Sequence, residues 1–436
     1  MPKTFNTARS SFIFLAGLIV VGVVKFGLML IAPSTDKKWS APILITHVEE
    51  SSSSFAVHLW NNKPIGSQSG KKFYFLGENG HWLEKISPQL KDVTFYPLAI
   101  DPRGADAFFC QLEYTNKKAP AIQTLLKVKL NPQGGIELEK RILLDAIVGN
   151  AFKVLNSRSN FHQEISVGCG PGFVSGSEAY IPYDVQIQNV VERITSTGTH
   201  QTGYSDGGGK YGLLRSEDGG TSWEMLPLDD KEVYTLVRRT NSRRYLFTLQ
   251  KQRELSVSIQ PTDSSAWSRP QLLCDSVRNN FLAVPEIDTV HLCWMDTRLK
   301  KGIGFFIYGD WDVGRRNNQV FYRNLQDGNA VGVKERKLSG SLSYCGAPTM
   351  SVEGKKIVVA WEHYLKPYTR AAIYYVTSTN NGRTWSRIHR VETFSQTTAE
   401  APVVVLHKGI IHLFYDRTEW PNRRCDLMHQ QRQFPD

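Results

Sequence analysis

Beyond residue 40, the chain consists of short apolar or alternating runs separated by turn-forming residues. Runs such as IVVAW, at 357–361, and PVVVL, at 402–406, have the length and the β-branched content of strands. Sustained helical periodicity is absent after residue 40. The pattern therefore predicts an all-β domain.

An eight-residue pattern occurs twice in this domain, as SEDGGTSW at Ser216 to Trp223 and as STNNGRTW at Ser378 to Trp385. Weaker copies contain Gly80, Gly134, Ser265 and Gly328. A second landmark has a period of 54 residues, since Ala347-Pro348 is followed by Ala401-Pro402 and Trp361 by Tyr415. Two features with a fixed period indicate a repeat. We expect a unit of four strands, with the eight-residue turn joining the third strand to the fourth.

The composition of the turn has a physical explanation. Its Ser and Asp or Asn can accept hydrogen bonds from backbone N–H groups within the turn. Its Gly adopts a backbone conformation that other residues disfavour, and its Trp packs between neighbouring sheets. The predicted structural residues are Ser216, Asp218, Gly220, Trp223, Ser378, Asn380, Gly382 and Trp385.

A long apolar run, from Phe12 to Ala32, precedes the domain and contains a single charge, Lys25. It is long enough to span a bilayer as a helix. A cleaved signal peptide is the alternative, but no small-x-small cleavage site follows cleanly. We expect an uncleaved, single-pass anchor with a cytoplasmic N-terminus and the domain outside the cytoplasm, or a secreted protein if the run is cleaved.

Lys and Arg outnumber Asp and Glu by 52 to 41, which favours acidic partners.

The six cysteines contain no C-x-x-C pair, which excludes a zinc ribbon and leaves buried thiols or long-range disulfides. His58, His291 and His412 recur at one place in what we interpret as second strands, which favours packing over metal binding. No phosphate-binding loop is present, and we expect no cofactor, no metal and no nucleic-acid partner.

The eight-residue turns resemble the Asp box, or BNR repeat, of the sialidase superfamily, S-x-D-x-G-x-T-W. Ser222 replaces the threonine of the first copy, and Asn380 replaces the aspartate of the second. The resemblance covers roughly residues 40–436 and implies a six-bladed β-propeller of four-stranded antiparallel sheets, preceded by one transmembrane helix. The expected organisation is a tail at 1–11, the anchor at 12–32, a linker at 33–40 and the propeller at 41–436. Asp boxes also occur in propellers without enzymatic activity.

Antiparallel strands place the turn between strands one and two on the same face as the eight-residue turn. Loops between strands two and three, such as 61–72, 199–210, 295–318 and 362–370, should lie on the opposite face. They are rich in arginine, which suits acidic groups, and in aromatic residues, which suit sugar rings. The predicted ligand-binding residues are Arg298, Arg315, Arg316, Arg370, Arg417, Tyr364, Trp311 and Trp420. A solvated surface rich in Lys and Arg is the alternative interpretation.

For catalysis, the resemblance implies three arginines, a tyrosine nucleophile activated by glutamate, and an aspartate acid/base. The strand expected to open the first blade, Ser40 to Glu50, has no arginine, and the loop at 61–72 has no acid. Whether the protein is a glycoside hydrolase is therefore undecided by the sequence. The catalytic candidates are Asp296, Glu362, Asp416 and Tyr415; the alternative is that Asp296 and Asp416 brace loops through Asp–Arg pairs.

The sequence thus favours a membrane-anchored propeller that binds, and in one version processes, an acidic glycan or glycoconjugate. The alternatives are an active exo-glycosidase of the sialidase type and a non-catalytic scaffold that binds a protein partner.

Substituting Arg298 and Arg370 by Ala should reduce retention on immobilised anionic glycans, because each substitution removes a guanidinium group that can donate two hydrogen bonds to a carboxylate or sulfate. Arg103→Ala, which removes one charge from the face that carries the eight-residue turns, is the control. Unchanged retention of the Arg298 and Arg370 variants would eliminate the glycan-binding hypothesis for this face.

Overall fold

The computed structural model describes residues 35–36 and 39–435, with gaps at 49–54, 62, 69–71, 78–80, 86–94, 103, 114–121, 131–134, 145–146, 149–160, 195–199, 229–231, 251–252, 297–317, 327–333, 341–343, 365–370, 392–396 and 420–423. The described strands form seven sheets, and each sheet is antiparallel apart from one short added strand. The inner strand of each sheet contacts the inner strand of the next, and the last contacts the first. The fold is therefore a β-propeller with seven blades.

The first two strands of the chain, β1 (Thr35–Asp36) and β2 (Ile43–Val48), are added to the outer edges of later blades. Blade 1 contains β3 (Phe55–Trp60), β4 (Lys63–Gln68), β5 (Lys72–Leu76) and β6 (Trp82–Lys85). Blade 2 contains β7 (Phe95–Ile100), β8 (Asp106–Glu113), β9 (Ile122–Leu130) and β10 (Ile136–Leu143). Blade 3 contains β11 (Phe161–Cys169), β12 (Phe173–Ser175), β13 (Glu178–Ile194), β14 (His200–Ser216) and β15 (Glu224–Pro227).

Blade 4 contains β16 (Glu232–Arg239), β17 (Arg243–Gln250), β18 (Glu254–Pro261) and β19 (Gln271–Cys274). Blade 5 contains β20 (Val277–Glu286), β21 (Thr289–Asp296), β22 (Gln319–Gln326) and β23 (Arg336–Lys337). Blade 6 contains β24 (Tyr344–Glu353), β25 (Lys356–Tyr364), β26 (Ala371–Ser378) and β27 (His389–Val391). Blade 7 contains β28 (Thr397–His407), β29 (Ile410–Glu419) and β30 (Arg424–Gln433).

The middle strands of the blades are buried on both faces because each blade is packed between two others. All eight residues of β26 are buried, for example, and they divide between the core shared with blade 5 and the core shared with blade 7. This explains why the sequence has blocks of apolar residues instead of strict alternation.

The predicted count of six blades is wrong, because blade 7 obtains its fourth strand from the other end of the chain. The strand β2 pairs antiparallel with β30, from Ile43 opposite His429 to Val48 opposite Cys425. The segment that we interpreted as the opening strand of blade 1 therefore closes the last blade. Blade 7 consequently has no third-to-fourth strand turn, which is the feature by which the blades were counted.

The turn tryptophans of four blades pack on aromatic rings of the preceding blade. Trp223 lies edge-on to Phe108 of blade 2, at 5.4 Å between ring centroids, and Trp385 lies edge-on to Tyr322 of blade 5, at 4.8 Å. Trp267 contacts Tyr180 of blade 3 in the same way. The ring closes with Trp82 of blade 1, whose centroid is 4.8 Å from that of Phe414 in blade 7. Edge-to-face pairs of this kind add to the free energy of burial.

Trp82 also covers a pair of buried histidines in blade 7, His412 and His429. Their Nδ1 and Nε2 atoms are 3.2 Å apart, and their rings are stacked. Burial lowers the pKa of His412 to about 4 and that of His429 to about 3. Both rings are therefore neutral at physiological pH and serve as packing groups. His58, in contrast, lies in the inner strand β3 and not in a second strand, because the strand assigned before it belongs to blade 7.

Side chains within the two eight-residue turns satisfy their backbone N–H groups. Asp218 accepts hydrogen bonds from the N–H groups of Thr221 and Ser222, each at 2.9 Å, and Ser216 Oγ accepts one from Gly220 at 2.8 Å. Asn380 and Ser378 make the corresponding bonds to the N–H groups of Thr384 and Gly382, at 2.8 and 3.0 Å. Gly382 has a φ of 77°, and a Cβ there would collide with the Tyr322 hydroxyl.

Two segments interpreted as loops are largely strands. Residues 63–68 form β4, and residues 200–210 belong to β14, which pairs with β13 from Ala179 opposite Ser216 to Ile194 opposite His200. Their Gly, Ser and Lys content suggested loops, but strand pairing depends on backbone hydrogen bonds that such residues also make.

The segment predicted as a linker at 33–40 contacts the propeller. Thr35 and Asp36 pair in parallel with Arg390 and Val391 of β27. The Ser40 N–H donates to the Gln431 carbonyl at 2.8 Å, and the Ser40 hydroxyl accepts from the Gln431 N–H at 3.0 Å. The apolar run at 12–32 lies outside the described residues. Within the described residues, no helix has the length and apolarity needed to span a membrane. None of the six cysteines forms a disulfide.

Trp82→Ala should lower the free energy of unfolding by about 2–4 kcal/mol, because it opens the seam between the first and last blades. Equilibrium urea unfolding measures this. Leu83→Ala is the matched control, because the neighbouring side chain is 48% exposed and its loss should change little. Equal effects of the two substitutions would contradict a role for Trp82 in closing the ring.

Candidate functional site

The two ends of the ring are distinguished by backbone hydrogen bonds. The Asn381 N–H of an eight-residue turn donates to the Lys355 carbonyl, in the turn between β24 and β25. The Gly219 N–H donates likewise to the Ser177 carbonyl in blade 3. Both kinds of turn therefore lie at one end, which we call the turn face. The second strands β21, β25 and β29 run away from it and end at the opposite end, which we call the loop face.

The loop-face ends of blades 6 and 7 place acidic residues at equivalent positions of the repeat. Glu362 in β25 and Asp416 in β29 are 54 residues apart. On the adjacent inner strands, Gly346 lies opposite Glu362, and Glu400 lies opposite Asp416. Glu362, Glu400 and Asp416 interact electrostatically across the seam between the two blades. We call these three residues the carboxylate cluster.

The seam is held by side chains of β24 that accept hydrogen bonds from the backbone of β28. Ser351 Oγ accepts from the Leu406 N–H at 2.9 Å, and Thr349 Oγ1 accepts from the Val404 N–H at 3.3 Å. Glu353 accepts from the N–H groups of Lys408 and Gly409 at 2.7 and 2.9 Å. These bonds fix the register of the two inner strands and therefore the relative positions of the acids.

Glu362 is the best-fixed member of the carboxylate cluster. One of its oxygens accepts a hydrogen bond from the Tyr364 hydroxyl at 2.9 Å, and the other accepts one from the Ala401 N–H at 2.6 Å. Ala401 belongs to a bulge in β28 and has a φ of 47°, which is unfavourable for a residue with a Cβ. The bond from Glu362 thus links blade 6 to a strained position of blade 7.

Asp416 lies in a much less polar environment. It is 9% exposed, and burial together with the charges of Glu400 and Glu362 raises its pKa to about 7. Burial and the charge of Glu362 also raise the pKa of Glu400. Near neutral pH, Asp416 is thus poised between its acid and its anion.

Arg417 is directed to a different acid. Its guanidinium contacts Asp426, the residue opposite it on β30, at 2.5 Å, and the Asp426 side chain is only 2% exposed. This Asp–Arg pair is formed by Asp426, whereas the sequence analysis offered Asp416 as the acid that braces a loop. Tyr415 is 1% exposed and packs in the core between blades 6 and 7, so it is not positioned to act as a nucleophile.

Asp296 lies at the loop-face end of β21 and is fully buried. It accepts hydrogen bonds from the Trp294 indole at 3.3 Å and from the Cys274 thiol at 3.4 Å. Cys274 belongs to β19 of blade 4, so these contacts give Asp296 a structural role at the seam between blades 4 and 5. The remaining predicted ligand-binding residues, Arg298, Trp311, Arg315, Arg316, Arg370 and Trp420, lie outside the described residues.

The described part of the candidate site is therefore acidic, whereas the sequence predicted a basic face from residues of its loops. Glu400 and Asp426 were not among the predicted site residues. Within the described ranges, no group of three or more His, Cys, Asp or Glu side chains is arranged to hold a metal ion. A carboxyl with a raised pKa near a hydrogen-bonded carboxyl group can donate and accept protons, as glycoside cleavage requires.

No protein-family model matches the chain, and no curated protein matches it significantly. Among solved structures, the NanB sialidase of Streptococcus pneumoniae is similar over 86% of this chain and 82% of its own, with 10% identity and a TM-score of 0.42. A Trypanosoma rangeli sialidase is similar over 92% of this chain but 58% of its own, with 10% identity and a TM-score of 0.42. A prolyl endopeptidase is similar over 88% of this chain and 50% of its own, with 10% identity and a TM-score of 0.45. Similarity at this level carries no argument about activity.

Asp416→Asn should stabilise the protein at pH 8 and have little effect near pH 4. This carboxyl has a pKa of about 4 in the unfolded chain and of about 7 in the folded protein. Between pH 4 and pH 7, the folded state therefore binds more protons than the unfolded state. The contribution of Asp416 to wild-type stability must then fall as pH rises from 4 to 7, with a slope of at most about 1.4 kcal/mol per pH unit. Thermal unfolding at each pH, with exposed Asp263→Asn as control, measures the difference. A difference that is constant with pH would contradict the raised pKa.

Proposed function

We propose that this protein acts on carbohydrates and hydrolyses a glycosidic bond at the carboxylate cluster. The observation that carries the proposal is the convergence of Glu362, Glu400 and Asp416 at one seam of the loop face, with Asp416 protonated up to about neutral pH. Strong perturbation of a carboxyl by burial and by specific neighbours is characteristic of acid/base sites.

The residues divide into chemical roles. Asp416 is the proton donor to the leaving-group oxygen, because it is the acid that retains its proton near neutral pH. Tyr364 is the nucleophile, and Glu362, which accepts its hydroxyl proton in a 2.9 Å hydrogen bond, is its base. A phenol paired with a glutamate is less repelled by an acidic sugar than a carboxylate nucleophile would be. This tyrosine–glutamate pair agrees with what the sequence resemblance to sialidases implies.

Acidic glycans are the proposed substrates. The chain has an excess of 11 positive charges, and the arginines at 298, 315, 316 and 370 belong to loops that we assign to the same face. They would neutralise the substrate carboxylate or sulfate, which the acidic cluster alone would repel. In this proposal the eight-residue turns are Asp boxes, the protein is held to a membrane by residues 12–32, and the propeller lies outside the cytoplasm.

Glycan binding without turnover is the second candidate, favoured by the arginine and aromatic content of the loops. In that case Glu362 serves only to link blade 6 to blade 7 through Ala401. The protein would then be retained on anionic glycans but would release no sugar.

The full-length protein should hydrolyse one or more fluorogenic glycosides of acidic sugars, and Tyr364→Phe and Asp416→Asn should each lower kcat by about 10²–10⁴-fold. Activity should decline above about pH 7 as Asp416 loses its proton. Fluorophore release measures both, with Tyr211→Phe, on blade 3, as a control for the loss of a tyrosine hydroxyl. Retention on glycans without hydrolysis would favour the binding module, and hydrolysis unaffected by both substitutions would place the chemistry elsewhere.

A further inference from the structure

The residues opposite the two equivalent acids differ between blades 6 and 7. Gly346 and Glu400 are 54 residues apart, as Glu362 and Asp416 are, so the two cross-strand pairs are copies of one pair in the repeat. In blade 6 the acid lies opposite a glycine, and in blade 7 it lies opposite a second acid. The residue at this one position of the repeat therefore gives the two equivalent acids, Glu362 and Asp416, different environments.

In blade 6, the glycine gives the Glu362 carboxyl group room to be hydrogen-bonded on both of its oxygens. A Cβ at Gly346 would collide with Glu362 Oε2, so that the carboxylate occupies the space a side chain would fill. There, one Glu362 oxygen accepts a hydrogen bond from the Tyr364 hydroxyl and the other accepts one from the Ala401 N–H. Both oxygens are thus held by donors, and Glu362 lies where it can accept the proton of the Tyr364 hydroxyl.

In blade 7, a second carboxyl occupies the corresponding space. Directly opposite residues of an antiparallel pair have Cβ atoms about 4.5–5.5 Å apart, so Glu400 brings its charge close to Asp416. Two carboxylates at this separation do not both ionise readily. The proton is then shared within the pair and belongs to neither residue alone.

Among the residues that the structure describes, the other groups around Asp416 do not cancel this effect. Blade 6 contributes Glu362, with Tyr364 bound to it. The neighbouring strand β30 contributes Cys425 and Asp426, and the cation on β29, Arg417, contacts Asp426. Of these acids, Glu400 is the one that lies directly opposite Asp416 in the strand pairing.

We propose that Glu400 is a positioning residue that keeps Asp416 in its acid form. Glycine in one copy of the repeat and glutamate in the other give the two equivalent acids different roles. Glu362 is the proton acceptor, and Asp416 is the proton donor. The assignment of donor and acceptor rests on the proposed hydrolysis. The sharing of a proton by Glu400 and Asp416 does not.

The test replaces Glu400 by Gln, which keeps the shape and removes the charge. The titration midpoint of Asp416, followed by carboxyl ¹³C NMR and assigned with Asp416→Asn, should fall by about 1 pH unit or more. The alkaline limb of the pH–kcat profile should move down by the same amount, with KM nearly unchanged. Glu400→Asp should restore most of the wild-type profile. Glu254→Gln, an exposed glutamate on blade 4, is the matched control and should move neither.

Glu400→Gly, which copies blade 6, is a second variant that keeps the test decisive if the Gln variant does not fold. A midpoint that stays at its wild-type value in the folded variants overturns the inference. If the wild-type protein hydrolyses no glycoside, the proposed function fails, and the NMR titration still decides the role of Glu400. If the protein is active and the midpoint falls but the pH–kcat profile stays in place, Asp416 is not the proton donor and the inference about its catalytic role is overturned.

Discussion

The structure depends on closing the ring between its first and last blades. A blade has two apolar faces, and neither is covered unless a neighbour stands on each side. Blade 7 covers blade 1 through its inner strand β28, and β2, from the N-terminal part of the chain, completes its sheet beside β30. The packing of Trp82 on Phe414 and the histidine pair then joins the two blades at the turn. Every other seam in the ring joins blades adjacent in sequence.

Closure also determines the geometry of the candidate site. The site belongs to a seam and not to a single blade, since Glu362 comes from blade 6 while Glu400 and Asp416 come from blade 7. Its dimensions are set by hydrogen bonds that the backbone N–H groups of β28 and of the turn after it donate to Thr349, Ser351 and Glu353. A small slip of one inner strand would move the acids apart. The proposed chemistry therefore requires the seam between blades 6 and 7 to be rigid.

The repeat made much of the fold accessible from sequence. The period of the turns located six third-to-fourth strand connections, and the 54-residue spacing identified Trp361 and Tyr415 as equivalent positions. The seventh blade was missed because its outer strand, at 43–48, is separated from its partner by most of the chain, and no local pattern records such a pairing. Glu400 was missed for a similar reason. It lies in an ordinary strand sequence, and only the register that sets it opposite Asp416 gives it chemical significance.

The joining of β2 to β30 has a consequence for biosynthesis. The residues of β2 are made long before those of β30, because the first six blades lie between them in the sequence. During that interval β2 has no partner strand, and an unpaired strand is a template for incorrect pairing with other chains. The fold therefore requires the nascent chain to keep this segment from aggregating until β30 has emerged from the ribosome.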